Sequence, residues 1–274
     1  MQPRILVGSP VCQKPAILRV FLAGLHHLES DGFTLDFFFV DDNQEAESSR
    51  LLRAFRREGS RVTVLPAPPR DAPYHTDEVT HYWNDSLIAR ISAFKTHMMN
   101  YAVEQGYDFI FLNDSDLLVP PRLAAHLLSL DLDVVAEVIW AVWSPGQNGQ
   151  ALPSAWLYDK YDLARPGLPD EQYRAQQAAF LAKLRVPGQY EVGGLGACQM
   201  TRVATLKKYP QLRYLPISNL SLWGEDRWFC VRAAVCGVKL VVDTCMEPFH
   251  IYRESELNAI PPEMMPEMPK EFTI

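Results

Sequence analysis

Apolar and polar positions along this 274-residue chain switch between short unbroken runs and helical spacing, and the first half reads as a βα succession. Residues 4–7 form a short apolar strand that stops at Gly8-Ser9-Pro10. Ile17, Val20, Phe21, Leu25 and Leu28 recur at helical spacing and predict a helix over 17–28. A second strand covers 34–40 and runs into Asp41-Asp42-Asn43. A charged helix over 45–58, with Leu51, Leu52 and Phe55 inward, leads to a third strand at 62–65. Residues 67–81 are rich in Pro and polar groups and predict a long irregular loop. Asn84-Asp85-Ser86 offers an N-cap for a helix to about Val103, with Ile88, Ile91, Met98 and Ala102 on one face. Phe109 to Leu112 is then a buried strand ending in Asp114-Ser115-Asp116, before the break at Pro120-Pro121.

The second half predicts strands at 134–143 and 239–242, a polar helix at 170–184 and the glycine-rich stretch Gly193-Gly194-Leu195-Gly196-Ala197. The tail after Tyr252 is broken by prolines and reads as an irregular flap or a partly ordered end. The succession predicts an α/β fold, one domain with a mixed, mainly parallel central sheet flanked by helices.

Composition narrows this picture. The hydrophobic share of 48% and charged share of 22% are those of a globular protein. A net charge of −7 argues against duplex nucleic acid as a partner, yet leaves open a nucleotide held through a metal. Cys12, Cys198, Cys230, Cys236 and Cys245 make no CxxC pair and read as reduced thiols. The first 15 residues lack the build of a signal peptide, and no apolar run reaches about 18 residues. The expected location is cytoplasmic, without a transmembrane segment.

Chemistry concentrates at the predicted strand ends. Two carboxylates one residue apart, Asp114 and Asp116, can share a hard divalent cation with a phosphate, although an isolated pair also fits a turn. Asp41 and Asp42 end another strand, where carboxylates suit a nucleotide's ribose or base, or cap a helix. Gly224 delivers Glu225 and Asp226 onto a helix start, as a general base for a hydroxyl or as acids favoured by the helix dipole. His250 follows the last strand and would complete a mixed oxygen–nitrogen shell suited to Mn²⁺. The glycines around Gly194 allow close backbone approach to a ligand, or shape a turn.

The order of these motifs carries more than any one of them. VDDN at 40–43, Arg90, NDSD at 113–116, GGLGAC at 193–198, WGEDRWFC at 223–230 and FHIYR at 249–253 resemble the GT-A-fold glycosyltransferases, particularly GT2-like enzymes that use a nucleotide sugar. The resemblance implies a domain over 1–252, with a nucleotide-binding half to about 120, an acceptor half beyond it, and a tail or flap at 253–274. It implies Asp41 or Asp42 on the nucleoside, Asp114 near ribose and metal, Asp116 as the main ligand to Mn²⁺ or Mg²⁺, and His250 as the late ligand to metal or diphosphate. Asp226, with Glu225 beside it, matches the catalytic base of inverting members, and Arg90 would approach the diphosphate or brace the DxD loop.

The implied activity is hexosyl or N-acetylhexosaminyl transfer from a nucleotide-sugar donor, UDP-linked by default. The acceptor is a glycan, a lipid-linked saccharide, a protein or a small molecule. Trp140, Trp143, Trp156, Tyr158 and Trp223 are candidate acceptor-site aromatics or core. The 67–81 loop and the tail are candidate lids. The opening GSPVCQKP departs from the inverting pattern, so a retaining GT-A enzyme and a non-catalytic sugar-nucleotide or glycan binder stay open. A haloacid-dehalogenase-type phosphatase would carry its DxD on the first strand, and a sugar nucleotidyltransferase would carry a Gly-rich, Arg-bearing loop there. Neither pattern is present.

Overall fold

Alternation inside the apolar runs sends side chains to two separate cores, one on each face of a central sheet. The computed structural model describes residues 2–71, 73–144, 149–220, 224–269 and 272. The first half runs β1 (Arg4–Val11), α1 (Pro15–His26), β2 (Thr34–Asp41), α2 (Ala46–Ala54), β3 (Val62–Pro66), α3 (Asp85–Glu104) and β4 (Phe109–Asn113). Next come β5 (Leu117–Leu118), α4 (Leu123–Ser129), β6 (Val134–Glu137), β7 (Trp140–Ala141), β8 (Leu152–Pro153), β9 (Ala155–Trp156) and α5 (Asp170–Lys183). The chain continues with β10 (Gln189–Val192), β11 (Gly194–Leu195), β12 (Cys198–Arg202), α6 (Val203–Lys208), α7 (Glu225–Val235), β13 (Leu240–Asp243) and β14 (Phe249–His250).

The main sheet has eight strands in the order β10-β13-β6-β12-β4-β1-β2-β3. Strands β1 to β4, β6 and β13 share one direction, while β10 and β12 oppose them. Ile5, Val7, Phe37, Phe39, Phe109 and Phe111 face a core built with α1, α2 and α4. Leu6, Phe38, Val40, Ile110 and Leu112 face the other, built with α3, α5, α6 and α7. The expected α/β class with a mixed, mostly parallel sheet is therefore the observed one. Its six co-directional strands end on one edge, which is where such sheets bind ligands. That edge carries Asp41 at the end of β2 and Asp42 just past it, Asp114 after β4, Glu137 on β6 and Asp243 on β13.

Several boundaries differ from expectation. Strand β1 does not stop at Gly8 but continues to Val11, with Pro10 opposite Val40. Beyond Gly8, β1 no longer pairs with β4, so Pro10 sits where one side of the strand is free of a ladder. The predicted strand over 134–143 breaks after Glu137 into β6 and β7, with the Val138 N–H making the last bond to β13, on the Asp243 carbonyl at 2.9 Å. Strands β10 and β12 were not expected at all. The tail is not a loose end: Ile260 packs with Ile17, Val20 and Ile251, and Phe272 stacks on Phe55. No helix among the described residues is long and apolar enough to cross a membrane. The five cysteines are free.

Candidate active site

Strand β4 delivers Asn113, and a tight turn through Asp114 to Asp116 leads into β5, with Leu117 N–H bonding the Asp114 carbonyl at 3.2 Å. Strand β14 lies antiparallel to β5 with His250 opposite Leu117, and Ile251 N–H bonds the Asp116 carbonyl at 2.8 Å. This ribbon brings two residues 134 positions apart into contact, with His250 Nε2 at 3.5 Å from Asp116 Oδ2. Both side chains are buried, at 5% and 14% exposure. Asp116 Oδ1 and His250 Nδ1 have no hydrogen-bond partner, although buried polar atoms seldom go without one. A carboxylate oxygen and an imidazole nitrogen are donors that Mn²⁺ accepts, so the pair fits the expected metal. Burial works to raise the Asp116 carboxyl, but His250 and His81 beside it outweigh this and hold it below its ordinary range, ready to ligate.

Asp114 does not join them. The carboxylates of Asp114 and Asp116 and the His250 ring do not gather within 4.8 Å of one another. Asp114 turns instead toward Lys95 Nζ at 3.5 Å. Lys95 projects from the middle of α3, is 2% exposed, and also reaches Glu225 at 2.6 Å and Asp226 at 3.3 Å. Three carboxylates thus share one buried ammonium. Burial disfavours its charge, but Asp114, Asp226 and Glu225 together raise its pKa well above the ordinary value, so it stays protonated. Although 36% of its side chain reaches solvent, enclosure at the cleft floor lifts Asp114 to about 6, with Asp116 and Glu225 adding to the rise and Lys95 opposing it. Burial, then Glu225 and Asp114, lift Asp226 to about 7, again against Lys95.

Asp226 and Glu225 stand on the first turn of α7, where the helix dipole favours acids. Gly224 enters the helix at φ 139°, in the range that favours glycine, and a side chain there would meet the Tyr161 hydroxyl at 2.5 Å. Glu225 is tied closely to Lys95 and its side chain is 12% exposed, whereas Asp226 is held more loosely at 23%. Of the two, Asp226 is the more available to a ligand.

The glycine stretch has a different role from the one expected. Gly194 does not line the cleft: its hydrogen lies against the Trp156 indole, which an added Cβ would meet at 2.0 Å. Gly196 is the one that serves the site, because a Cβ there would meet Asp226 Oδ2 at 2.1 Å. Gly196→Ala is expected to displace the Asp226 carboxylate and cut turnover by about 10²-fold. The melting temperature should move little. Steady-state kinetics beside thermal unfolding check this, and unchanged turnover would remove Asp226 from the reaction.

Asp41 turns out of the main cleft. Its carboxylate accepts from Asn43 Nδ2 at 2.9 Å, Ser49 Oγ at 2.8 Å and Arg53 Nη2 at 2.9 Å, so it braces the β2–α2 corner. Asp42 does line the cleft, and its carboxylate is clamped by Arg90 Nε and Nη2 and by Arg70 Nη2. Arg90 is thus engaged away from the DxD turn. It holds Asp42 and the carbonyls of Pro68 and Pro69. Arg70 keeps Nη1 buried, without a partner, on the cleft wall.

These groups surround one cleft of about 880 Å³. Trp143 and Trp156 line it, together with Tyr74, Trp83, Tyr161 and Tyr252. Trp140 and Tyr158 do not, and Trp140 lies under the Arg185 guanidinium instead. Trp223 falls outside the described residues. Residues 79–81, at the end of the irregular stretch, are anchored beside the cleft. His81 Nε2 lies 2.8 Å from the Tyr252 carbonyl, Thr80 Oγ1 bonds the Trp143 carbonyl at 2.8 Å, and Arg253 Nη2 bonds the Val79 carbonyl at 2.7 Å.

Sequence reasoning missed Lys95 and Arg70, and named Gly196 only as one of the glycine stretch. A signal existed for Lys95: it is a cation within the apolar stripe of Ile88, Ile91, Met98 and Ala102, where a lysine must find partners. With Asp226 rising to about 7, a reaction that uses its ionised form should gain rate as pH climbs through neutrality. The same proton has the opposite effect on stability. The folded state holds it more tightly than the unfolded chain, so this group's stabilisation is present in acid and is lost as pH rises through about 7. Rate and unfolding measured against pH check both signs, and a rate profile flat through neutrality would contradict the first.

No family model matches the chain. Half of it is similar to glycosyltransferase 25 family members, at 27% identity over 142 residues in Drosophila pseudoobscura pseudoobscura and 26% over 145 residues in Aedes aegypti. The alignment covers 23% of each of these curated relatives. Among solved structures the chain is similar to S. aureus TarS 1–349, with a TM-score of 0.50 and 14% identity over 89% of this chain and 59% of that one. The glycosyltransferase-type α/β fold expected from the motifs is thus the one observed, and the sequence likeness is to members of glycosyltransferase family 25.

Proposed function

We propose that this chain is a metal-dependent glycosyltransferase that moves a hexosyl or N-acetylhexosaminyl group from a UDP-sugar to an acceptor hydroxyl, on the GT2-like, inverting course. The observation that carries the proposal is the meeting of two groups in one cleft. Asp116 and His250, each with a side-chain ligand atom that lacks a partner, and the Lys95-bound carboxylates Glu225 and Asp226 all line it. Mn²⁺ or Mg²⁺ would be held by Asp116 and His250, and when bound it would offset charge building on the departing diphosphate.

The chain's own residues supply the rest. Arg70 Nη1 is a buried donor free to meet the nucleotide, beside an Asp42 already neutralised by two arginines. Asp226 takes the proton of the acceptor hydroxyl as its oxygen bonds to the anomeric carbon. The bond from that carbon to the diphosphate breaks on the opposite face, and UDP leaves. Lys95 holds Glu225 and Asp226 in place and keeps their charge affordable. Trp83, 49% exposed at the rim, and Trp143 offer ring faces to the apolar side of an acceptor sugar. The anchored residues 79–81 limit water that would otherwise hydrolyse the donor.

The test is a panel of UDP-sugars with Mn²⁺, read first as UDP release and then as transfer to glycan, lipid-linked, peptide and small-molecule acceptors. UDP release above the enzyme-free rate, with the product anomer opposite to the donor's, is expected. Retained anomeric configuration would move the assignment to a retaining enzyme. UDP binding without any release would leave a sugar-nucleotide binder.

A further inference from the structure

The ligand edge of the sheet carries a further cluster of side chains of metal-ligand chemistry, outside the cleft. Asp243 closes β13 and is fully buried. His126, on α4, places Nε2 at 2.9 Å from Asp243 Oδ2. Gln189 Nε2 donates to Asp243 Oδ1 at 2.5 Å, and the Cys245 N–H donates to Oδ2 at 2.9 Å. An imidazole nitrogen of His126, a carboxylate oxygen of Asp243 and Cys245 Sγ all lie within 4.8 Å of one another.

A separate observation asks for positive charge at this place. Glu137 ends β6 directly opposite Asp243 in the parallel register, and it is 0% exposed. Its Oε1 accepts from the Met246 N–H at 2.8 Å, and its buried Oε2 has no neighbour but the Asp243 carboxyl to answer it. Two buried carboxyls side by side need a proton or a cation to offset them. A divalent ion held at Asp243 would supply that offset.

The geometry points to a Zn²⁺ site formed by His126, Asp243 and Cys245, with Glu137 packed behind Asp243. The nitrogen, oxygen and sulfur donors are the set Zn²⁺ takes, and Cys245 is exposed, so an ion has a way in. Its consequence is mechanical. Cys245 lies five residues before His250, so the ion would pin α4, the end of β13 and the segment that carries His250 to Asp116.

The test uses the full chain stripped with chelator and titrated with Co²⁺ alone, followed by absorbance. One equivalent should give thiolate-to-cobalt charge-transfer absorption, and Zn²⁺ should abolish it by displacement. Cys245→Ser should remove the absorption, and His126→Asn should weaken binding by about tenfold or more. Asp116→Asn should leave the absorption intact, which separates this site from the cleft. Wild-type protein that shows no thiolate absorption, or absorption that survives Cys245→Ser, would overturn the assignment. Cys245 is exposed, so its substitution does not threaten the fold and decides the matter even if His126→Asn unfolds the chain.

Discussion

Asp226→Asn is expected to lower turnover by about 10²–10⁴-fold, the range typical of losing a positioned general base. Affinity for UDP should hold, because the proposed metal ligands lie on Asp116 and His250. The fold should also hold, for a reason specific to this cluster. Asp114, Glu225 and Asp226 are three acids around one ammonium, so removing one negative charge relieves repulsion. Asparagine keeps an oxygen that can accept from Lys95. The expected signature is therefore a melting temperature at or above wild type, unchanged UDP binding and near-absent transfer. Kinetics, calorimetry and thermal unfolding on the same preparation read all three. Wild-type transfer by this variant would move the base elsewhere, with Glu225 the first alternative.

Lys95→Met should be the most damaging single change to the fold. Methionine nearly matches the volume of the lysine stem but leaves Asp114, Glu225 and Asp226 without their shared cation. Breaking a buried ion pair from one side costs roughly 3–5 kcal/mol. The lower end applies, since the Asp114 side chain is 36% exposed and water takes up part of its charge. Denaturant unfolding should show a loss of about 3 kcal/mol, largest at high pH, where all three carboxylates are ionised. A second readout separates positioning from simple stability. Lys95 opposes the rise of Asp226, so without it the pH–rate profile should move to higher pH. A variant of lower stability with an unmoved profile would make Lys95 purely structural.

Much of this molecule was legible in its sequence. The strands of the first half follow from apolar runs that end in carboxylates, and their common edge follows from parallel order. Asp116 and His250 could each be named, but their contact could not be derived from spacing. It depends on a two-residue ribbon, β5 with β14, far too short to leave a pattern. Strand β12 escaped for the opposite reason. Gln199 and Thr201 are polar yet fully buried, bonding each other at 2.8 Å, while Tyr214 donates to Gln199 at 3.2 Å. Polar groups satisfied inside a core break the apolar run that marks a buried strand.

The site shows the same division. Asp41 and Asp42 are adjacent in sequence, yet one braces a helix corner and the other lines the cleft, because successive side chains at a strand end point to opposite faces. Asp114 and Asp116 diverge in a comparable way, one toward Lys95 and the other toward His250. Gly194 and Gly196 are two residues apart and have different tasks, one fitting Trp156 and the other Asp226. Residue type and order identified the region. Only the backbone path could say which member of each pair serves the cleft.

Calorimetric titration with UDP, in Mn²⁺ and again in chelator, tests the central claim most directly when wild type and Asp116→Asn are run side by side. Wild type should bind at least about tenfold more tightly with Mn²⁺ than without it, a difference of about 1.4 kcal/mol. Asp116→Asn should bind equally weakly in both conditions, with its melting temperature preserved. UDP affinity in wild type that ignores Mn²⁺, or a Mn²⁺ gain that survives Asp116→Asn, would contradict a metal–diphosphate site at this strand end.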